Sequence, residues 1–344
     1  MFAQQRAIPS RGRGKVGNGS HYCYTQDVAR QSKQYPTRAS GARTLVLAVL
    51  AVLTSACASS GNVQSGTSKT PVVVATYSIL GDLVADLVGD AAKVIVVIPN
   101  GQDQHEFEPS AKVVEQINNA DFIVSNGLDL EEHLTDVLAE AATRGVGVFM
   151  VAEHVTLRKA NAELTDAKDG AELTDAKDGN DPHLWLDPIT LAEMIPDLSN
   201  ELGKVLGVDL SDSAAQLSLR LATIDVKIKE IMSTLPRCAL VTGHDSLGYF
   251  AARYGCQIVG AVIPSLSSSA ETSAGELADL KTAAMQANVR AVFTEMGTPR
   301  AVVDQIAKEV GVKSVELRTH MLPTGGHYGD VMIQLATSIA GALK

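Results

Sequence analysis

The chain has 344 residues, enough for about two domains with a substantial core, and its 45% apolar content excludes a polypeptide that stays unfolded. Residues 1–56 hold eight of the 29 basic side chains and a single aspartate, so the remainder sets 21 basic groups against 38 acidic ones, a formal charge of −17. A body of that sign excludes nucleic acid and anionic lipid surfaces as partners and is compatible with gathering cations.

Residues 1–42 are basic, rich in Gly, Ser and Arg, and without an apolar period; they read as a mis-set start or an unstructured extension. Residues 44–56, TLVLAVLAVLTSA, are thirteen mostly apolar positions. That is short of the ~20 needed to span a bilayer as a helix, and it suits the core of an export signal. The following Leu53-Thr54-Ser55-Ala56-Cys57 resembles a bacterial lipoprotein signal, in which Cys57 becomes the acylated first residue. Plain secretory cleavage after Ala56 or Ala58 is the alternative. Residues 58–68 have the Gly/Ser composition of a flexible tether. The expected organisation begins with a leader over 1–56 and a tether over 57–70.

From residue 70 the pattern becomes regular. Apolar runs at 72–75, 94–98, 122–125 and 146–151 have strand length, and 79–88, 110–120 and 130–143 carry helical spacing. The alternation returns with strands at 239–242, 257–263, 291–294 and 313–316 and helices at 246–254, 273–287, 299–310 and 329–343. Strand and helix in alternation predict α/β architecture with parallel sheets. Two sets of four predict two lobes, 71–210 and 236–344, each with a four-stranded, mainly parallel sheet flanked by helices. Between them, 211–235 reads as one long rigid helix, with Ser211 as a candidate N-cap and Pro236 just past its end.

Ala162–Gly170 reads AELTDAKDG and is repeated unchanged over 171–179. Two copies are too short for a solenoid, so 162–179 is expected to be an acidic loop. Of the four cysteines, Cys23 belongs to the leader and Cys57 to the anchor. Cys238 and Cys256 remain, each opening a predicted strand. In an oxidising compartment such a pair is expected to form a disulfide.

Downstream of the repeat lies Asp181-Pro182-His183-Leu184-Trp185-Leu186-Asp187-Pro188, which packs a histidine, two carboxylates and the chain's single tryptophan between prolines. Proline stiffens its own backbone and that of the preceding residue, so His183 is expected on a rigid, non-helical mount. His105 and His244 follow predicted strands, one in each lobe, and ligands of open parallel sheets bind beyond the carboxyl ends of strands. The three histidines can converge only if the lobes face each other across a cleft. Three imidazoles suit a borderline ion, above all zinc bound tetrahedrally. The fourth donor is expected from a strand end of the second lobe, with Glu316 as first choice and Glu295 and His320 as fallbacks. His133 and His154 read as solvated or locally bonded, and His327 as the cap of a helix start.

These residues carry a resemblance. The segment 101–109 with its His-x-x-Glu-Pro, the DPHLWLDP block, GHDSLGYFAARYG at 243–255 and the Glu295 strand end together resemble the zinc- and manganese-binding solute receptors of bacterial metal ABC transporters, zinc-type subgroup. The resemblance spans nearly all of the chain from residue 70. It implies two lobes bridged by a rigid helix, a metal in the cleft, no catalysis, and delivery of the ion to an ABC permease in the cytoplasmic membrane. It also implies His105, His183 and His244 as ligands and aligns Glu316 with the family's final carboxylate. Manganese receptors of the group present two histidines and two carboxylates, so His244 favours Zn2+ as the transported ion, with Mn2+ the alternative. The expected protein is a monomer held by its lipid anchor at the outer face of the membrane. An exported zinc hydrolase is the competing class, but no HExxH, nucleophile elbow or phosphate loop is present in the sequence.

Overall fold

In the first half of the chain, four short runs rich in Val, Ile and Phe pair side by side. The computed structural model describes residues 69–160 and 179–344. In it β1 (Val72–Ala75), β2 (Lys93–Val96), β3 (Phe122–Ser125) and β4 (Gly147–Met150) form a parallel sheet in the order β2-β1-β3-β4. Position in the sheet accounts for composition: β3 is buried at every residue, whereas the edge strands β2 and β4 keep exposed positions at Lys93, Val96 and Met150. Helices α1 (Ser78–Val88), α2 (Ala111–Asn118) and α3 (Thr135–Thr143) connect the strands.

The second half holds β5 (Ala239–His244), β6 (Gln257–Ile263), β7 (Ala291–Thr294) and β8 (Lys313–Glu316), alternating with α6 (Gly248–Tyr254), α7 (Ala274–Gln286) and α8 (Arg300–Val310), and closing with α9 (Tyr328–Leu343). All pairings are parallel, as expected. The single four-stranded ladder expected here is corrected: the strands pair as β5–β6 and β7–β8, with β5 and β7 lying against each other. At that seam a side chain intervenes, because the backbone N–H of His244 donates to Glu295 Oε1 at 3.3 Å. Cys238 and Cys256 are joined in a disulfide with Cα atoms 4.6 Å apart, tying together the starts of β5 and β6.

Two helices join the halves. The first, α4 (Pro188–Leu206), is a helix beyond those expected, although its signals are present in the sequence. Asp187 is the N-cap and accepts from Ile189 N at 2.9 Å, Pro188 occupies the first turn, and Gly207 ends the helix in the left-handed region at φ 68°. The second, α5 (Ser211–Met232), is the expected long helix. Ser211 is not its cap: Leu210 holds that position, and the Ser211 amide donates to Asp209 Oδ1. Its buried residues Ala214, Leu217, Leu221, Asp225, Ile228 and Met232 recur every three or four positions, giving one continuous buried face. That face packs on α4 and α1 from one lobe and on α9 and α6 from the other. A single apolar core therefore runs from β1 through Leu217, Leu221 and Ile228 to Phe293, with a satellite core under α7 and α8.

The leader, residues 57–68 of the tether with Cys57 among them, and the acidic repeat up to residue 178 lie outside the described residues. The ends flanking the repeat are stitched together by an antiparallel bridge between Lys159 and Asn180 and by the bond from Ala160 N to Gly179 O at 2.9 Å.

Candidate metal centre

Four segments deliver one imidazole each to the cleft. Beyond β2, the Asp103 carboxylate accepts from the backbone N–H of His105 at 3.0 Å, fixing the turn that aims His105 inward. The DPHLWLDP block forms a short 3-10 turn over Leu184–Leu186, with His183 just before it on non-helical backbone. Its two carboxylates hold different parts. Asp181 accepts from both the backbone N–H and the Nδ1 of His183, at 3.0 and 2.8 Å, and pairs with Arg158 at 2.9 Å. Asp187 caps α4 and takes both of its oxygens to Arg253 Nε, at 3.0 and 2.9 Å. Asn126, at the end of β3, accepts from Tyr77 Oη and donates to Pro182 O at 2.8 Å, bracing the same turn. His244 is the last residue of β5.

The fourth imidazole is His320, one of the fallbacks. Glu316 does not join the cluster and is corrected as the fourth donor: as the last residue of β8 it points outward, largely exposed, and pairs with Arg300 at 3.0 Å. The chain runs on past the strand before Thr319 and His320 turn into the cleft, both buried. Trp185 holds that loop in place by donating from Nε1 to Thr319 O at 2.7 Å, and Gln104 donates to His320 O at 3.3 Å. Glu295, the other fallback, is buried beside the cluster and engaged elsewhere. It receives Ser246 Oγ on both oxygens at 2.8 Å and Thr319 Oγ1 on Oε2 at 2.9 Å, with His244 Nδ1 3.1 Å from Oε1.

His105, His183, His244 and His320 are all buried, and their candidate ligand atoms all lie within 4.8 Å of one another, a group that could hold a metal ion. The closest pairs are His105 Nε2 to His183 Nε2 at 3.4 Å and His183 Nε2 to His244 Nε2 at 3.1 Å. Nitrogens bound tetrahedrally to zinc at about 2.0–2.1 Å would stand roughly 3.3 Å apart. His320 Nε2 is buried without a hydrogen-bond partner, a costly condition that a cation would relieve.

Electrostatics favours neutral donors at most of these positions. Burial, reinforced by the neighbouring imidazoles, holds His105 and His183 well below the ordinary imidazole value. Burial also lowers His320, against the pull of Glu295. Burial would depress His244 too, but the Glu295 carboxylate overrides it and raises His244 above the ordinary value. For Glu295 burial acts upward and loses to His244, which keeps the carboxylate far below its usual range. Burial pushes Asp181 up to about 6, against its bonds to His183 and Arg158, and takes Asp245 up to about 7 with help from the Asp181 charge.

Among the described residues, the other histidines behave as the sequence suggested. His133 faces Glu108 at 3.5 Å and His154 faces Asp197 at 2.9 Å on the surface. His327 stands at the N-cap of α9, its backbone N–H on Asp330 and its Nδ1 2.8 Å from Asp82.

A family model described as the periplasmic component A of zinc-uptake complexes, ZnuA, matches residues 73–342. Over 279 residues the chain is 28% identical to the high-affinity zinc uptake system protein ZnuA of Bacillus subtilis, covering 80% of this chain and 86% of that one. It is 25% identical over 272 residues to the manganese-binding lipoprotein MntA of Halalkalibacterium halodurans, 78% of this chain and 85% of the relative. The solved periplasmic zinc-binding protein TroA of Treponema pallidum has the same two-lobed fold, with a TM-score of 0.69 at 24% identity over 80% of this chain and 99% of that one.

Proposed function

Since the chain belongs to the family of periplasmic A components of zinc-uptake complexes, we propose that it captures Zn2+ outside the cytoplasm through His105, His183, His244 and His320 and delivers it to an ABC permease. The observation that carries this reading is the meeting of four buried imidazoles from four separated segments at spacings suited to one tetrahedral ion. Four nitrogens fill a tetrahedron and leave no coordination position for water, which suits carriage of the ion rather than catalysis. A donor set without carboxylate disfavours the harder Mn2+ and makes zinc the preferred cargo.

The proposal extends to organisation. The mature body comprises lobes over 71–210 and 236–344 around the helical strut 211–235, acts as a monomer, and is anchored at the outer face of the cytoplasmic membrane through acylated Cys57. The test is direct titration of the protein with zinc and manganese. One equivalent of zinc should bind tightly and outcompete manganese, and His183→Ala should weaken zinc binding by at least about a hundredfold, since it removes the central donor. Unchanged zinc affinity in His183→Ala would overturn the assignment.

A further inference from the structure

An imidazole offers its Nε2 lone pair to a metal only when the proton sits on Nδ1, and the partner of Nδ1 decides that tautomer. His183 has Asp181 for this purpose. The two imidazoles from the second lobe have no carboxylate each; they converge on one. His244 Nδ1 lies 3.1 Å from Glu295 Oε1, a charge contact rather than a formed hydrogen bond, since that nitrogen is buried without a hydrogen-bond partner. His320 Nδ1 is 2.6 Å from Thr319 Oγ1, whose own hydroxyl donates to Glu295 Oε2 at 2.9 Å.

The directions of these bonds are constrained. A hydroxyl has one proton, and ionised Glu295 is an acceptor only, so Thr319 must give its proton to Glu295 and accept from His320 Nδ1–H. His320 Nε2 is thereby left unprotonated, and that is the atom found buried and unpartnered. Ser246 Oγ, donating to both Glu295 oxygens at 2.8 Å, and the backbone N–H of His244 at 3.3 Å hold the carboxylate itself in place.

We infer that Glu295 is a positioning residue for two metal-binding imidazoles at once: it sets the tautomer of His320 through the Thr319 hydroxyl, and it orients His244 by accepting from its backbone N–H and facing its Nδ1. This rests on the proposed four-histidine site. It assigns Glu295, a ligand candidate by sequence, to a supporting role one bond away from the ion, and it gives the Thr319 hydroxyl a function that a packing residue would not have. It also makes the β5, β7 and β8 ends one unit, so that the second lobe supplies its donors as a pair.

The test compares wild type with Thr319→Val, Thr319→Ser, Glu295→Gln and His183→Ala, each titrated with zinc and, separately, with Co2+ followed by visible absorption. Valine keeps the shape of threonine and removes only the hydroxyl. Thr319→Val and Glu295→Gln should each weaken zinc binding by about 10–100-fold and lower the intensity of the tetrahedral Co2+ bands, and Thr319→Ser should restore both. Apo-protein melting and circular dichroism identify any variant that does not fold; if Glu295→Gln fails there, Thr319→Val decides. Should wild type bind one zinc and His183→Ala lose it, while Thr319→Val keeps wild-type affinity and an unaltered Co2+ spectrum, the relay is wrong and the site stands. Failure of wild type to bind zinc at all overturns both.

Discussion

At the scale of single residues, the centre is a problem of proton placement. Three of the four imidazoles are driven toward their neutral form by burial, and only His244 is held above the ordinary value, by the Glu295 carboxylate. A metal binds the neutral ring, so the proton that competes first as pH falls is the one on His244. Zinc affinity should accordingly weaken by about tenfold per pH unit as pH drops through the His244 value, which lies above the ordinary ~6.5. A steeper loss should follow only in more acid solution, where the other three rings take protons. Competition with a chromophoric chelator across neutral pH measures this, and an affinity constant from alkaline solution down to below pH ~6 would contradict it. His105, His183 and His244 were legible as candidates because each follows a strand or sits between prolines. His320 was harder to rank, because it lies past the end of β8 in a loop, and its aim is set by Trp185 and Gln104, partners far away in sequence.

At the scale of elements, the alternation of apolar runs predicted all eight strands, five of them with their observed limits. What was not legible has physical causes. Helix α4 carries Pro188 in its first turn and Pro196 in its interior, and prolines read as breakers when the tertiary packing that overrides them is out of sight. The outward direction of Glu316 follows from where the pleat of β8 ends, a matter of one residue that spacing alone does not resolve. The linking helix α5 was legible because its apolar positions recur over six turns. Leu221 sits fully buried midway along that face, in the core shared by both lobes. Leu221→Ala should cost about 2–5 kcal/mol in urea unfolding; a loss below about 1 kcal/mol would mean the strut is not held by that core.

At the scale of the molecule, the lobes are bound together by more than the strut. Asn100 exchanges two hydrogen bonds with Leu322, at 2.9 and 2.8 Å, Asp103 accepts from Ser268 at 2.8 Å, and Asp187 pairs with Arg253. The same segments carry the imidazoles, Asp103 two residues from His105, Asp187 four from His183 and Leu322 two from His320, so an ion bound there would join elements that these bonds already link. Binding to the folded state alone should then stabilise the whole body: at free zinc about 1,000 times the dissociation constant the gain is about 4 kcal/mol, a rise in melting temperature on the order of 10 °C. Chelation should reverse it, and melting that zinc leaves unchanged would argue against a site in this interface.

The four-imidazole donor set is tested most directly by X-ray absorption at the zinc edge on the protein loaded with one equivalent. The account predicts a single shell of four nitrogens at about 2.0–2.1 Å, with outer-shell scattering that requires four imidazole rings. A spectrum fitted by two rings or fewer, or by a shell that includes sulfur, would contradict it.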